Sequence, residues 1–369
     1  MSATAPRRVL VLAHTGRQDA IAAALQAVDT LAASGLRAVL LDADEAAVRA
    51  AAPSGEEFDP EILGRDCALA DISIGLVLGG DGSVLRAAEL VRGSQVPLVA
   101  VNLGHVGFLA EAERTDLQQT VEAIAAERYT VDERMALDVV VKVGGRQVAR
   151  TWALNEASVE KSSRERMLEV VVSVDDHALS SYGCDGVVMA TPTGSTAYAF
   201  SAGGPVVWPG VEALLLVPIS AHTLFSRPLV VGPASTLTVD VLTRTNENGV
   251  LWCDGRRTVE LPPDARIEVS RSAEPVRLAR LSLTPFSERL VRKFQLPTEG
   301  WRGPVTGEER AAAARAAVET VEPRHAGPRP LVVPPATAAL PVVDLRGASG
   351  PSSATGLDGP DEEPPEARP

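Results

Sequence analysis

The sequence predicts two domains, an α/β domain followed by a β-rich, sandwich-like one, and three observations predict it. Up to about residue 130, short apolar runs alternate with stretches whose apolar residues recur at helical spacing; beyond that point the segments turn β-rich and are broken by turn residues; past Gly303 the composition no longer suits a packed core. The boundaries read as 1–130 for the α/β domain, 131–280 for the β-rich domain, 281–302 for a segment returning to the first domain, and 303–369 for a tail. A chain of 369 residues with 45% apolar content is long enough for two cores.

In the first domain, Val9–Leu12 is an apolar run that meets His14, Thr15 and Gly16. Ile21, Leu25, Val28 and Leu31 then repeat at helical spacing before Gly35, which reads as strand, loop, helix and glycine cap. The runs Ala38–Leu41, Ile72–Leu78 and Val96–Val101 look like further buried strands, and Leu117, Val121 and Ile124 mark a later helix. In the second domain, Leu137–Val143, Gln147–Leu154 and Leu168–Val174 are β-rich and separated by turn pairs such as Gly144-Gly145 and Asp175-Asp176. Strands around Ser235–Leu242 and Ile267–Ser270 continue it, and Leu281–Phe294 has partly helical spacing. The tail holds twelve of the 27 prolines and ends in an acidic run, a composition expected to stay disordered, with Glu308–Val321 alanine-rich enough for a transient helix.

Charge and cysteine usage exclude several classes. A net charge of −13 with no dense Lys/Arg run argues against a nucleic-acid binder. Cys67, Cys184 and Cys253 are too widely spaced for a metal knuckle and odd in number for a disulfide framework, so they read as reduced, packed thiols. The apolar run near the N-terminus is too short for a signal-peptide core or a membrane span, so the expected location is the cytoplasm, with no membrane partner.

Chemistry concentrates in a few places. Gly79-Gly80-Asp81-Gly82-Ser83 follows a buried strand and precedes the good helix formers Val84–Leu90. Three residues without Cβ at the start of a helix let phosphate oxygens approach backbone N–H groups. No lysine follows and the spacing fits neither a Walker loop nor a dinucleotide fingerprint. Asp81 would be repelled by phosphate unless it holds a metal or takes a proton from an attacking hydroxyl; the plain alternative is a helix N-cap. Asp185–Tyr198 runs from a short strand into a loop of small hydroxyl residues, and Asn155-Glu156, after a strand, pairs an amide with a carboxylate. Read singly, each has a bland explanation as turn or strand-end chemistry. His105 and His222 suit a substrate-edge or structural role better than acid–base work, and the four tryptophans suit core or interface better than stacking platforms.

Taken together, these motifs and Val101-Asn102-Leu103-Gly104-His105-Val106-Gly107-Phe108-Leu109 closely resemble those of bacterial NAD kinases of the actinobacterial type, over roughly Arg8–Trp301. The resemblance implies that Asp81 accepts the proton of the 2'-hydroxyl of the adenosine ribose of NAD. It also implies that Gly82 contacts the dinucleotide, that Arg86 helps with phosphate charge, and that Gly79, Gly80 and Ser83 complete the phosphate loop. Asn155 and Glu156 match the pair that grips the dinucleotide, and Asp185 an aspartate near its nicotinamide end. Thr196, Ala197 and Tyr198, with Ala199, Phe200 and Ser201 after them, match the adenosine-binding loop, and Arg166 falls where the family often places a basic contact. ATP as donor, Mg²⁺ as counter-charge with no assigned ligands, and a homo-oligomer, dimer or tetramer, are further expectations of the resemblance. Gly183 stands where some strictly NAD-using relatives carry Arg, which leaves room for NADH as a second acceptor. A diacylglycerol-type lipid kinase would share only the first motif, and a regulatory dinucleotide-binding protein would have no need of Asp81.

Overall fold

The computed structural model describes residues 6–52, 58–104, 107–163, 166–245, 248–281 and 285–298. The first domain runs β1 (Arg8–Ala13), α1 (Gln18–Ala33), β2 (Arg37–Leu40), α2 (Asp42–Ala51), β3 (Glu61–Ile62), β4 (Ile72–Leu78), α3 (Asp81–Leu90), β5 (Leu98–Asn102), β6 (Ala112–Glu113), α4 (Leu117–Ala125) and β7 (Thr130–Arg134). The second runs β8 (Leu137–Val143), β9 (Arg146–Ala153), β10 (Glu156–Lys161), β11 (Leu168–Val174), β12 (His177–Cys184), β13 (Gly186–Ala190), α5 (Tyr198–Ser201), β14 (Leu214–Ile219), β15 (Leu229–Val231), β16 (Leu237–Val241), β17 (Gly249–Cys253), β18 (Arg257–Leu261) and β19 (Ala265–Arg271). The chain then returns through β20 (Val276–Arg280) to α6 (Phe286–Phe294).

The first sheet has the order β3-β2-β1-β4-β5-β20-β7, with β6 on β5. Strands β1 to β6 pair in parallel, and their continuous apolar runs are what a sheet covered on both faces requires. Two apolar clusters lie on its faces: Ala24, Val28 and Leu31 of α1 belong to one, Val84, Ala87 and Ala88 of α3 to the other. Because β1 leads outward to β2 while β4 leads the other way to β5, the order reverses between β1 and β4. Sheets of this kind bind ligands beyond the strand ends at such a point.

The second domain is a sandwich of two six-stranded antiparallel sheets, β15-β14-β13-β10-β17-β18 and β12-β11-β16-β19-β8-β9. One apolar core that includes Val139, Val159, Val170, Val187, Leu216 and Ile267 fills the space between them. Gly144-Gly145 and Asp175-Asp176 close two-residue hairpins with positive φ at both turn residues, 55° and 75° in the first and 50° and 61° in the second.

Two departures from the sequence expectation have physical causes. Thr130–Arg134 and Val276–Arg280, assigned on sequence to the edges of the β-rich domain, are strands of the first sheet: β20 pairs parallel to β5 and antiparallel to β7. The chain therefore leaves the first domain after residue 134 and re-enters it at 276, a long-range pairing that local pattern does not encode. Helix α2 was not foreseen because its apolar signal is thin; only Asp44 and Val48 are buried on it, and an acidic first turn with an alanine-rich body sustains it. His105 and the stretch 303–369 lie outside the described residues. Among the described residues no helix is long and apolar enough to cross a membrane.

Candidate active site

Helix α3 starts at Asp81, with Gly80 as the residue before it and no side-chain cap. The N-cap reading of Asp81 therefore does not hold: its carboxylate turns away from the helix and accepts N–H bonds from Phe108 and Leu109, each at 3.0 Å. A Cβ on Gly107 would overlap that carboxylate, so the chain passes against Asp81 only because residue 107 has no side chain. A Cβ on Gly79 would likewise overlap Ser83, whereas Gly80 and Gly82 face open space. The glycine loop and the 107–111 loop thus enclose Asp81 from two sides.

Beyond the loop lies a cleft of about 780 Å³ lined by Leu12, His14, Asp44, Gly80, Gly82, Ser83, Arg86 and Arg256 among others. It sits at the C-terminal ends of β1 and β4, the reversal point of the sheet. Arg86, exposed one turn into α3, makes no ion pair among the described residues, so its guanidinium is available to an anion. His14, Asp44 and Arg256 were not foreseen, since nothing local in the sequence places them beside the glycine loop.

The second half of the site rests on Asp254, which follows Cys253 at the end of β17 and is not among the candidate site residues that the sequence offers. Asp254 is buried and accepts N–H bonds from Leu154 at 2.9 Å, Asn155 at 2.7 Å and Glu156 at 3.4 Å. Burial raises Asp254 above its ordinary value, and the three amides together with Arg257 at 2.8 Å offset only part of that rise. Thr191 seals the other side: its hydroxyl donates to the Leu154 carbonyl at 2.6 Å and accepts from Gly194 N–H at 3.1 Å. Asn155 and Glu156 are consequently held through their backbone, and the Glu156 carboxylate also accepts from Tyr198 N–H.

Glu156 carries the sharpest electrostatic signature. It is 8% exposed, one carboxylate oxygen has no hydrogen-bond partner, and burial first, then the neighbouring Asp254 charge, raises it to about 8. With Ser158, Glu160, Tyr198, Trp252 and Gly255 it lines a second recess of about 360 Å³. Asp185 pairs with Lys161 at 2.6 Å, which holds it below its ordinary value.

The Thr196–Ser201 segment forms a 3₁₀ turn and α5. Thr196 and Ala197 are partly buried, Tyr198, Phe200 and Ser201 exposed. Ala199 differs from its neighbours, being fully buried against Val188, Ala190 and Val217, so its side chain serves packing rather than a ligand. Arg166 is exposed at the end of the connection before β11. Gly183 pairs with Glu169 on β11, and its carbonyl accepts the backbone N–H of His222 at 2.8 Å. Cys184 and Cys253 are buried thiols pushed up to about 12 by burial, unsuited to nucleophilic work.

The two halves are tied together. Arg256 and Arg257, in the turn after β17, pair with Glu89 of α3 at 3.1 and 3.0 Å. Trp152 lies between Arg92 and Arg257, their guanidinium carbons 4.3 and 4.5 Å from its ring centre. The same turn that fixes Asn155-Glu156 therefore grips the helix that Asp81 begins.

Comparison with known proteins agrees with this division. Residues 9–129 match the model of the ATP-NAD kinase N-terminal domain and residues 154–281 that of the ATP-NAD kinase C-terminal domain. The chain is 58% identical to an NAD kinase of Leifsonia xyli over 300 residues, covering 81% of this chain and 98% of that one. It is 55% identical to an NAD kinase of Thermobifida fusca over 304 residues, covering 81% and 93%. Among solved structures, yeast NADH kinase complexed with NADH superposes with a TM-score of 0.72 at 21% identity, over 81% of this chain and 90% of that one. An Archaeoglobus fulgidus NAD kinase in complex with ATP gives 0.58 at 25% identity, over 78% and 98%. With both domain models matched in order, and the Leifsonia relative aligned over nearly its whole length, the chain belongs to the ATP-NAD kinase family.

Proposed function

We propose that this protein transfers the terminal phosphoryl group of ATP to the 2'-hydroxyl of the adenosine ribose of NAD, yielding NADP. The observation that carries the reading is the seat of Asp81: a carboxylate at the start of a helix and beside a glycine loop, in a place otherwise fit for phosphate. Such a group acts as proton acceptor for the attacking hydroxyl, while Arg86 and the α3 N-terminus meet the donor's charge. Asn155, Glu156 and the Thr196–Ser201 segment would hold the dinucleotide, Asp185 its far end. The lipid-kinase alternative has no support in the second domain, whose match is to ATP-NAD kinases.

Among the described residues no three His, Cys, Asp or Glu side chains gather as a metal cage. A Mg²⁺ carried by the ATP phosphates would need few protein ligands, and would neutralise charge on the transferred group. The three free cysteines support a reducing, cytoplasmic setting. Exposed Trp208, Val211, Leu224 and Phe225 support self-association into a homo-oligomer.

The test is direct. Purified protein with NAD, ATP and Mg²⁺ is expected to form NADP, and Asp81→Asn to lower kcat by about 10²-fold or more. Absence of NADP from the wild type, or equal turnover by the variant, would overturn the reading. Repeating the assay with NADH shows whether Gly183 leaves the second acceptor usable.

A further inference from the structure

Helix α6 touches the site through one arginine that no motif reveals. Arg289 is 8% exposed, and its Nη1 donates to the carbonyls of Phe108 at 3.2 Å and Ala110 at 2.9 Å. Its Nη2 pairs with Glu111 at 2.6 Å, and Glu111, whose side chain is 1% exposed, also takes Arg280 of β20. The two residues whose N–H groups hold Asp81, Phe108 and Leu109, thus lie in the same short segment whose carbonyls Arg289 holds from behind. Aromatic packing seats the helix: the Phe108 ring lies 5.8 Å from both Phe286 and Phe294. Phe294 continues to Phe200 of α5 at 4.5 Å, and Phe286 to Trp208 at 5.0 Å. Helix α6 therefore straps the Asp81 loop of the first domain to the Tyr198–Ser201 helix of the second.

We propose that Arg289 is a positioning residue for Asp81: through the Phe108 and Ala110 carbonyls it sets the loop whose amides aim the carboxylate. One nitrogen, Nη1, serves both carbonyls while a second, Nη2, serves Glu111, so the arrangement uses the two-nitrogen fork of a guanidinium; a lysine ammonium offers three donors from a single nitrogen and cannot stand at both places. Arg289 makes no hydrogen bond or ion pair with Asp81 among the described residues; it acts on the carboxylate through the loop, with its nearby charge adding to the field that Asp81 feels. A loop displaced by a fraction of an ångström leaves binding surfaces on the second domain intact and misdirects the proton acceptor, so the loss falls on kcat rather than on KM.

The inference rests on Asp81 as proton acceptor, and steady-state kinetics on the full chain separate the two ideas. Asp81→Asn, Arg289→Ala and Arg289→Lys are compared with wild type at equal folded concentration. Arg289→Ala is expected to lower kcat on the order of 10–100-fold with KM for NAD and ATP nearly unchanged, and added guanidinium ion, below denaturing concentrations, to restore several-fold activity to it but none to wild type. Should Arg289→Ala not fold, Arg289→Lys carries the test, since it keeps the charge but its single nitrogen cannot hold the carbonyls at the Nη1 position and Glu111 at the Nη2 position together; its kcat is expected to fall with KM unchanged. Wild-type kcat in the lysine variant, a loss confined to KM, or an alanine defect that guanidinium leaves untouched would overturn the positioning role. An active Asp81→Asn would instead remove the proton-acceptor reading on which it stands.

Discussion

Glu156 shows how one residue links burial to pH. Its carboxyl is raised from an ordinary 4.5 to about 8 by burial and by Asp254. Between those values the folded protein keeps a proton that the unfolded chain has released. Its stability therefore falls as pH rises through that window, and the penalty is fully present above about 8. Glu156→Gln removes this proton exchange, so the variant should gain stability relative to wild type as pH is raised from near 5 to near 8, by up to about 1.4 kcal/mol for each unit of the shift. Urea unfolding at both ends of the range measures it, and a difference independent of pH would show that Glu156 ionises in place. Asp81, Asn155 and Glu156 were legible in the sequence because motif and strand ends mark them. Asp254 and Arg289 were not, since their bonds reach partners 100 and 181 residues away and no local spacing signals such pairs.

At the scale of elements, the turn between β17 and β18 does the joining. It carries Asp254 toward β10 and Arg256 and Arg257 toward α3, while Trp152 of β9 lies between Arg92 and Arg257. Trp152→Leu keeps apolar volume and removes both cation–π contacts, and is expected to cost about 1–2 kcal/mol in thermal or denaturant unfolding. Its effect on kcat should exceed that of a surface change of equal cost, because α3 carries Asp81; unchanged stability would mean that the stacked arginines contribute nothing. The strands themselves were readable where burial alone decides them: β4, β8 and β11 have the ends that their apolar runs predict. The pairing of β20 between β5 and β7 was unreadable, because a strand's partner depends on topology and not on its own alternation. Helix α2 escaped because it buries too little apolar surface to leave a periodic trace.

For the whole molecule, the described elements of the candidate site all precede residue 295. The two sheets of the sandwich and the sheet of the first domain close with β20, and α6 then packs on the Asp81 loop, ending at Phe294. The family models stop at residue 281, and a relative from Leifsonia is aligned over 98% of its own length by only 81% of this chain. Among the described residues, every element of the candidate site lies at or before α6. Removal of residues 304–369, whose proline-rich composition is unsuited to a packed core, should leave kcat/KM for NAD within about twofold and the unfolding temperature within about 2 °C. Shortening the chain further, to end before Phe286, is expected to act quite differently. It deletes Arg289 together with Phe286 and Phe294, exposes the Phe108 ring and, among the described residues, leaves Glu111 paired with Arg280 alone. Comparing NADP formation by the two truncations places the boundary of the working enzyme: activity in the longer and its loss in the shorter are expected, whereas a tenfold loss from removing the tail alone would make the tail part of the site.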